Sequence, residues 1–224
     1  MKRLNIETTK MLTRVADFAA SNVGMFPKSS AGAEVQAELS AAVRELAELS
    51  SARVSAETAL RSASKERARA RETLKEVLTQ VNRTARALDS ELFRAVIKPT
   101  DHALIQSGRA FATDIEPMKK DFLKYGISAA KVTDAVEALE RAVREYSTGR
   151  ANHAATVREF NEKLELAMGI MRRFEALVEN MLVGDSRVIA AWTVARTVAH
   201  VPPRSRRVKT PEVAVEPTPT DKAA

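Results

Sequence analysis

One uninterrupted stretch decides the fold, residues 128–183: SAAKVTDAVEALERAVREYSTGRANHAATVREFNEKLELAMGIMRRFEALVENMLV. Alternating steps of four and three residues mark out one stripe along it, and 13 of the 15 positions on that stripe are apolar. This is the heptad pattern of a helix that packs against another helix. The stripe comprises Val132, Val136, Leu139, Val143, Tyr146, Arg150, His153, Val157, Phe160, Leu164, Ala167, Met171, Phe174, Val178 and Met181. The pattern predicts one long helix with a partner helix beside it.

The two polar exceptions, Arg150 and His153, follow directly after Gly149. Three structures would explain them. The helix face is solvated or only partly covered there, or the helix breaks at Gly149 and folds back, or two polar segments pack together and pair Glu57 with an arginine. A buried arginine without a partner is too costly, so the third structure requires charged neighbours. We take the solvated or partly covered face as the working interpretation.

The rest of the chain is also helical in pattern. Proline is scarce before residue 200, and Ala, Leu, Glu, Lys and Arg dominate, as in long helices. Capping residues and periodicity predict further helices at 4–24, 31–90, 101–124 and 186–200, with Pro117 kinking or dividing the third. Residues 91–100 form a connection, and Thr100 or Asp101 caps the helix that follows it. The predicted fold is therefore all-α: a helical bundle or antiparallel coiled coil with two long helices and three short ones.

An internal duplication is a further prediction. At an offset of 93 residues Phe18 aligns with Phe111 and Leu39 with Val132, which gives repeats of about 4–92 and 97–185. The alternative is that any two heptad helices can be slid into register. The first long helix has a polar middle as well, so the candidate polar waist comprises Arg53, Glu57, Arg150 and His153.

The predicted helical domain covers residues 1–200, and a Pro-rich basic tail that we expect to be disordered follows at 201–224. The tail contains RSRRVK, whose Arg204, Arg206, Arg207 and Lys209 are candidate contacts for a partner. Trp192, the only tryptophan, has two interpretations: it docks into the core, or it forms a partner-binding face.

Several kinds of chemistry lack their residues in this sequence. Without cysteine there is no disulfide, zinc–thiolate site or cysteine nucleophile. The histidines His102, His153 and His200 are far apart and form no metal-binding motif, and the seven glycines are all isolated, so no phosphate loop is present. We expect no catalytic residue, no metal and no cofactor.

The net charge of +7 is unevenly spread, with +5 over residues 61–98 and −3 over residues 31–60. The most basic segment, residues 61–75, spreads its charges around a helix and lacks aromatic residues for base stacking. Non-specific nucleic-acid binding is therefore an alternative rather than the main prediction.

No stretch of the sequence reaches the 18 uncharged apolar residues of a membrane span, and the N-terminus lacks the apolar core of a signal peptide. Together with the absence of cysteine, this indicates a cytoplasmic protein.

The sequence also resembles a group of uncharacterised all-helical bacterial proteins. The residues that carry this resemblance are Arg109, Ala110, Phe111, Asp114, Pro117, Lys119, Phe122, Ala191, Trp192, Ala195 and Arg196. The resemblance implies a bacterial origin and a helical fold, and it carries no activity. In composition the chain is similar to phasins, which coat storage-polymer granules through amphipathic helices; the helix at 4–24 would serve that role.

These observations predict a non-enzymatic helical scaffold or protein-interaction module, which binds a protein partner or a second copy through helix faces. A phasin-like coat on a lipid or polymer surface and a nucleic-acid-associated protein are the alternatives.

Overall fold

A computed structural model describes residues 3–88, 100–181 and 185–198, and every extended element among them is helical. The α-helices are α1 (Arg3–Ser21), α2 (Ala31–Ala87), α3 (Asp101–Ile115), α4 (Lys119–Lys124), α5 (Ala129–Met181) and α6 (Ser186–Arg196). The all-α prediction is confirmed, with two long helices. Pro117 divides the third predicted helix, because the 3₁₀ turn Glu116–Met118 separates α3 from α4.

The long helices α2 and α5 lie side by side and antiparallel. The Glu38 carboxylate lies 2.6 Å from Arg173 near one end, and Lys131 donates to Gln80 at 3.0 Å near the other. The Ser30 hydroxyl accepts a hydrogen bond from the Ala33 amide and caps the start of α2. Helix α2 has 57 residues, which corresponds to a length of about 85 Å. The pair forms the frame on which all other elements pack.

The first hydrophobic core lies where the beginning of α2 meets the end of α5. Helix α1 contributes Leu12, Val15 and Phe18, and α6 contributes Trp192. The Trp192 ring packs on Phe18 and Phe174 with centroid distances of 5.3 and 5.9 Å. This end therefore has four helices around one aromatic cluster.

The second core lies at the opposite end of the pair, where α3 and α4 pack on the end of α2 and the beginning of α5. Its fully buried side chains include Leu74, Val81, Ile115, Phe122 and Leu139. Gly108 allows α3 to approach α5 closely, since a Cβ at this position would clash with the Val136 side chain. The two cores share no residue.

Helices α1 and α3 cover the same face of the α2–α5 pair. On α2, Gln36 bonds the carbonyl of Ala19 in α1, and Arg71 bonds Asp101 of α3. Gln36 and Arg71 are 35 residues apart, which is five heptads. On α5, Asn161 contacts α1 and Glu140 contacts α3; these two are three heptads apart. Residues whole heptads apart occupy the same face of a paired helix.

The opposite face of the pair is charged. Glu38, Glu45 and Gln80 recur there at heptad spacing on α2, and each bonds a cationic side chain of α5. Lys163 donates to Glu45 at 2.8 Å, and this hydrogen bond lowers the pKa of Glu45 and raises the pKa of Lys163. Such pairs across a helix interface are typical of a face that water solvates.

The predicted boundaries of two short helices need correction. Helix α1 ends at Ser21 rather than at residue 24, and the 3₁₀ turn Val23–Met25 follows it. Helix α6 ends at Arg196 rather than at residue 200, because the backbone of Thr197 is extended, with φ −74° and ψ 120°. The predicted tail at 201–224 lies outside the described residues, as does most of the predicted connection at 91–100.

Candidate interaction surface

The middle of the α2–α5 pair has no buried side chain. On α2 none is buried between Leu46 and Leu74, and on α5 none is buried between Ala142 and Phe160. We call this segment the waist. Both helices pass through it without a break, so the alternative in which the chain folds back at Gly149 is wrong.

Two arginines of α2 stack on aromatic rings of α5 at the waist. The Arg53 guanidinium lies 5.6 Å from the Phe160 ring centroid, and the Arg67 guanidinium lies 4.8 Å from that of Tyr146. Each contact is a cation–π interaction, worth about 0.5–1 kcal/mol where water has access. The arginine stems cover apolar surface while their charged ends stay near water.

Leu60 of α2 and His153 of α5 lie between these two cation–π contacts. Leu60 is midway between Arg53 and Arg67, and His153 is midway between Tyr146 and Phe160, so the antiparallel register places Leu60 opposite His153. Both side chains are half-buried. The candidate waist residues Arg53 and His153 therefore do lie at the helix interface, as the heptad stripe predicted.

Arg150 does not lie at the interface. Its side chain is exposed, and Gly149 takes the inner position, where a Cβ would be 3.7 Å from the Leu60 Cα. The alternating steps of four and three residues include Arg150 in the stripe. Positions 149 and 150 flank the helix contact, and the structure places Gly149 inside it. Gly149, and not Arg150, therefore lies at the contact between α2 and α5 in the waist.

Glu57 also differs from its prediction. Its carboxylate pairs with Arg61 on the same helix at 2.5 Å, rather than with an arginine on another segment. Arg61 is exposed, so this ion pair contributes little to stability. The alternative in which two polar waists pack together through Glu57 is therefore wrong.

A buried carboxylate closes one end of the waist. Asp101, 9% exposed, is the first residue of α3; it accepts from the Arg67 Nε at 2.6 Å and from the Arg71 guanidinium at 2.9 Å. The two arginines supply the partners that a buried carboxylate requires. The start of α3 is thereby fixed at the level of Arg67.

The other end of the waist is closed by the start of α1, where Asn5 donates to Asn161 at 3.1 Å. Helices α1 and α3 therefore both begin at the waist and run away from each other on the same face. Between them, from Arg53 to Arg67, about 21 Å of that face is covered by no residue that the structure describes. We call this uncovered floor the saddle.

The floor of the saddle is mostly small and polar. At the heptad positions that contact α1 and α3 elsewhere, it has Ser50, Glu57, Ser64, Ser147 and Ala154. Of the cations at the saddle, Arg53 and Arg150 have no carboxylate partner within the described ranges. Residues 53–67 and 146–160 have six basic and three acidic side chains in total, and Asp101 and Glu162 pair with Arg67 and Arg158, so the net charge there is +1.

Trp192, the other candidate contact, is buried. The side chain is 2% exposed, and its Nε1 has no hydrogen-bond partner among the residues described. Its core interpretation is therefore correct, and a direct contact of Trp192 with a partner is not supported. The exposed side of α6 instead has Ile189 and Val194. The tail candidates Arg204, Arg206, Arg207 and Lys209 lie outside the described residues.

Sequence reasoning missed the parts of the waist that involve two helices. Asp101 had been considered only as a helix cap, and Tyr146 and Phe160 only as core residues. A signal was present in the offset of 93 residues, which aligns Arg53 with Tyr146 and Arg67 with Phe160. A cation in one repeat thus corresponds to a ring in the other, and the antiparallel pairing crosses the two positions, so that Arg53 faces Phe160 and Arg67 faces Tyr146.

No group of three His, Asp or Glu side chains in the described ranges is arranged to hold a metal ion. None of the described helices is both long enough and apolar enough to cross a membrane. The chain matches no protein-family model, and no curated protein or solved structure shows a significant similarity to it.

Proposed function

We propose that this protein is a non-enzymatic helical scaffold, and that the saddle is the surface through which it binds another protein. The observation that supports this is the gap between α1 and α3 on one face of the α2–α5 pair. The face that α1 and α3 cover at the two ends stays uncovered over about 21 Å in the middle, between two independent cores. The pair of helices would gain stability from a further helix that packs on this uncovered face.

The proposal includes an antiparallel coiled coil that arose by duplication. Two observations support it. Each half has a short helix that runs away from the waist and packs on the same face, and the offset of 93 residues relates Leu39 and Leu46 to Val132 and Leu139, all four fully buried. The bacterial origin and the cytoplasmic location remain predictions.

A photo-crosslinking amino acid placed on α2 tests the proposed function. Ser64 lies in the saddle, and Ala59, equally exposed and within two turns, lies on the opposite, charged face. We expect the Ser64 variant to form a discrete crosslink to a protein in cells, and the Ala59 variant to form none. Equal crosslinking from both positions, or none from Ser64, would contradict the proposal.

The phasin-like alternative meets an obstacle in α1. Its apolar residues Met11, Leu12, Val15 and Phe18 are buried in the first core, so α1 would have to leave that core before it could insert into a surface. The exchange would expose the aromatic cluster around Phe174. We therefore rank surface coating below protein binding.

Nucleic-acid binding is less favoured because most cations of the basic segment 61–75 are already paired with carboxylates. Arg67 and Arg71 are bound to Asp101, Arg61 to Glu57, Arg69 to Glu66 and Lys75 to Glu72. Of the six cations in residues 61–75, only Lys65 has no such partner among the described residues. Phosphate groups would have to compete with these carboxylates.

A further inference from the structure

The shape of the saddle selects a helix as its occupant. Its floor has the same heptad register as the segments that hold α1 and α3, and its length corresponds to about 14 helical residues. Ser50, Ser64, Ser147 and Ala154 are small, so a helix axis can approach the pair closely. A third helix placed there would be collinear with α1 and α3.

The floor also offers apolar surface to such a helix. Leu60 and Val157 are half-buried, and Ala154 is exposed beside them. An occupant therefore needs a narrow apolar stripe, with residues three and four apart, and polar residues on its other sides.

The charges of the saddle require that those polar residues be acidic. The net charge is +1 with the partners of Arg67 and Arg158 included, and Arg53 and Arg150 have no carboxylate partner within the described part of the chain. These two arginines flank the floor on α2 and α5, so carboxylates on both sides of a central apolar stripe would reach them. Complementary charge of this kind raises specificity and the rate of association.

The same charges disfavour the other occupants. A second copy would place its own Arg53 and Arg150, which also have no carboxylate partner in the described ranges, against these two arginines. A nucleic acid would meet the Glu57 carboxylate in the floor, and its bases would find the rings of Phe160 and Tyr146 already covered by arginines.

We propose that the saddle binds an acidic amphipathic helix of another protein, about 14 residues long. This inference rests on the proposed function, of which it specifies the partner. The helix fills the gap between α1 and α3. Its apolar stripe packs on Leu60 and Val157, and its carboxylates pair with Arg53 and Arg150.

Two synthetic peptides test the charge of the partner. Both are 14 residues long and stapled, because a free helix of this length is marginal in water. Both have leucine and alanine on one stripe; the remaining positions are glutamate in one peptide and lysine in the other. We expect fluorescence anisotropy to show at least about tenfold tighter binding of the glutamate peptide to the full-length protein, and this preference to decrease with salt.

Charge reversal locates the binding site. The double variant Arg53→Glu, Arg150→Glu should bind the glutamate peptide about tenfold more weakly and gain affinity for the lysine peptide. The control Arg44→Glu, Arg141→Glu reverses two exposed charges on the outward sides of the same helices and should bind as the wild type does. Because Arg53 stacks on Phe160, the single variant Arg150→Glu provides a second test in which no ring contact is lost.

Three results would overturn this inference: no binding of the glutamate peptide, equal binding of both peptides, or equal losses in the saddle variant and its control. Displacement of the glutamate peptide by a 20-base-pair duplex at lower concentration than by unlabelled peptide would assign the saddle to nucleic acid instead. If a protein crosslinks at Ser64 while the peptides fail, the interaction function stands and only the acidic helix is wrong. If the glutamate peptide binds at the saddle and no protein crosslinks at Ser64, the saddle accepts an acidic helix, but the proposed binding of another protein is wrong.

Discussion

The two cores and the waist use the same pair of helices in the same register, and yet they differ in what holds the pair together. At the ends, heptad positions such as Leu46, Leu74 and Leu139 are fully buried beneath short helices. At the waist, the equivalent positions are Arg53, Leu60 and Arg67, which two helices alone leave partly open. The comparison indicates that buried apolar side chains hold the pair together at its ends, and that the waist has none.

Three leucine substitutions on α2 should give the largest difference between the regions. Leu46→Ala and Leu74→Ala remove fully buried side chains, so each should lower the free energy of unfolding by about 2–5 kcal/mol. Leu60→Ala removes the same atoms at the waist and should cost about 1 kcal/mol, because the site is half-open. Urea unfolding curves measure all three, and equal costs would mean that the waist is a core.

The carboxylate at the edge of the waist should have the next largest effect. Asp101→Asn removes the charge that Arg67 and Arg71 share, and should destabilise the protein by about 1–3 kcal/mol, the partial exposure of both arginines limiting the loss. The control Asp121→Asn breaks an exposed pair with Lys124 and should leave the thermal midpoint unchanged. If Asp101→Asn and Asp121→Asn have the same thermal midpoint, Asp101 does not anchor α3.

Replacement of a glycine by alanine should change the free energy of unfolding in opposite directions in the second core and at the waist. Gly108→Ala should destabilise the second core by about 1–3 kcal/mol because its Cβ would clash with Val136. Gly149→Ala should stabilise the protein by about 0.5–1 kcal/mol, since the new Cβ makes an ordinary contact with Leu60 and alanine favours the helix.

Gly169→Ala is the control for helix propensity alone, because a Cβ there meets nothing within 4 Å. Calorimetry should show that the variants at 149 and 169 melt higher than the wild type and that the variant at 108 melts lower. A loss of stability in Gly149→Ala would show that the helices approach more closely at the waist than this account allows.

The smallest effect should come from the solvated face. Since the hydrogen bond from Lys163 lowers the pKa of Glu45, this pair stabilises the folded state above the ordinary glutamate pKa of 4.5 and ceases to do so as the pH falls through the lowered pKa. The thermal midpoint of Glu45→Gln should therefore lie slightly below that of the wild type at pH 7 and coincide with it at strongly acidic pH.

Glu48→Gln, an exposed glutamate on the same helix with no partner among the described residues, should match the wild type at both pH values. A difference between Glu45→Gln and the wild type that persists at acidic pH would exclude the ion pair as its cause.

The sequence predicted the all-α class and the extents of α2 and α5 closely, because a heptad stripe and a few caps determine both. It did not place Arg150, since adjacent residues 149 and 150 flank the same interface and only the paired helix decides which one lies inside. It also did not predict the contacts of Asp101 with Arg67 and Arg71, because these depend on where α3 begins in space.

The central claim is that two cores hold α2 at its ends while the waist between them is open. Hydrogen exchange of backbone amides along α2 tests it most directly. Amides near Leu39–Leu46 and Leu74–Val81 should exchange only through global unfolding, and those between Arg53 and Arg67 should exchange through local opening, at least about 100-fold faster. Uniform protection along the whole of α2 would contradict the claim, because it would mean that the waist is covered in the free protein.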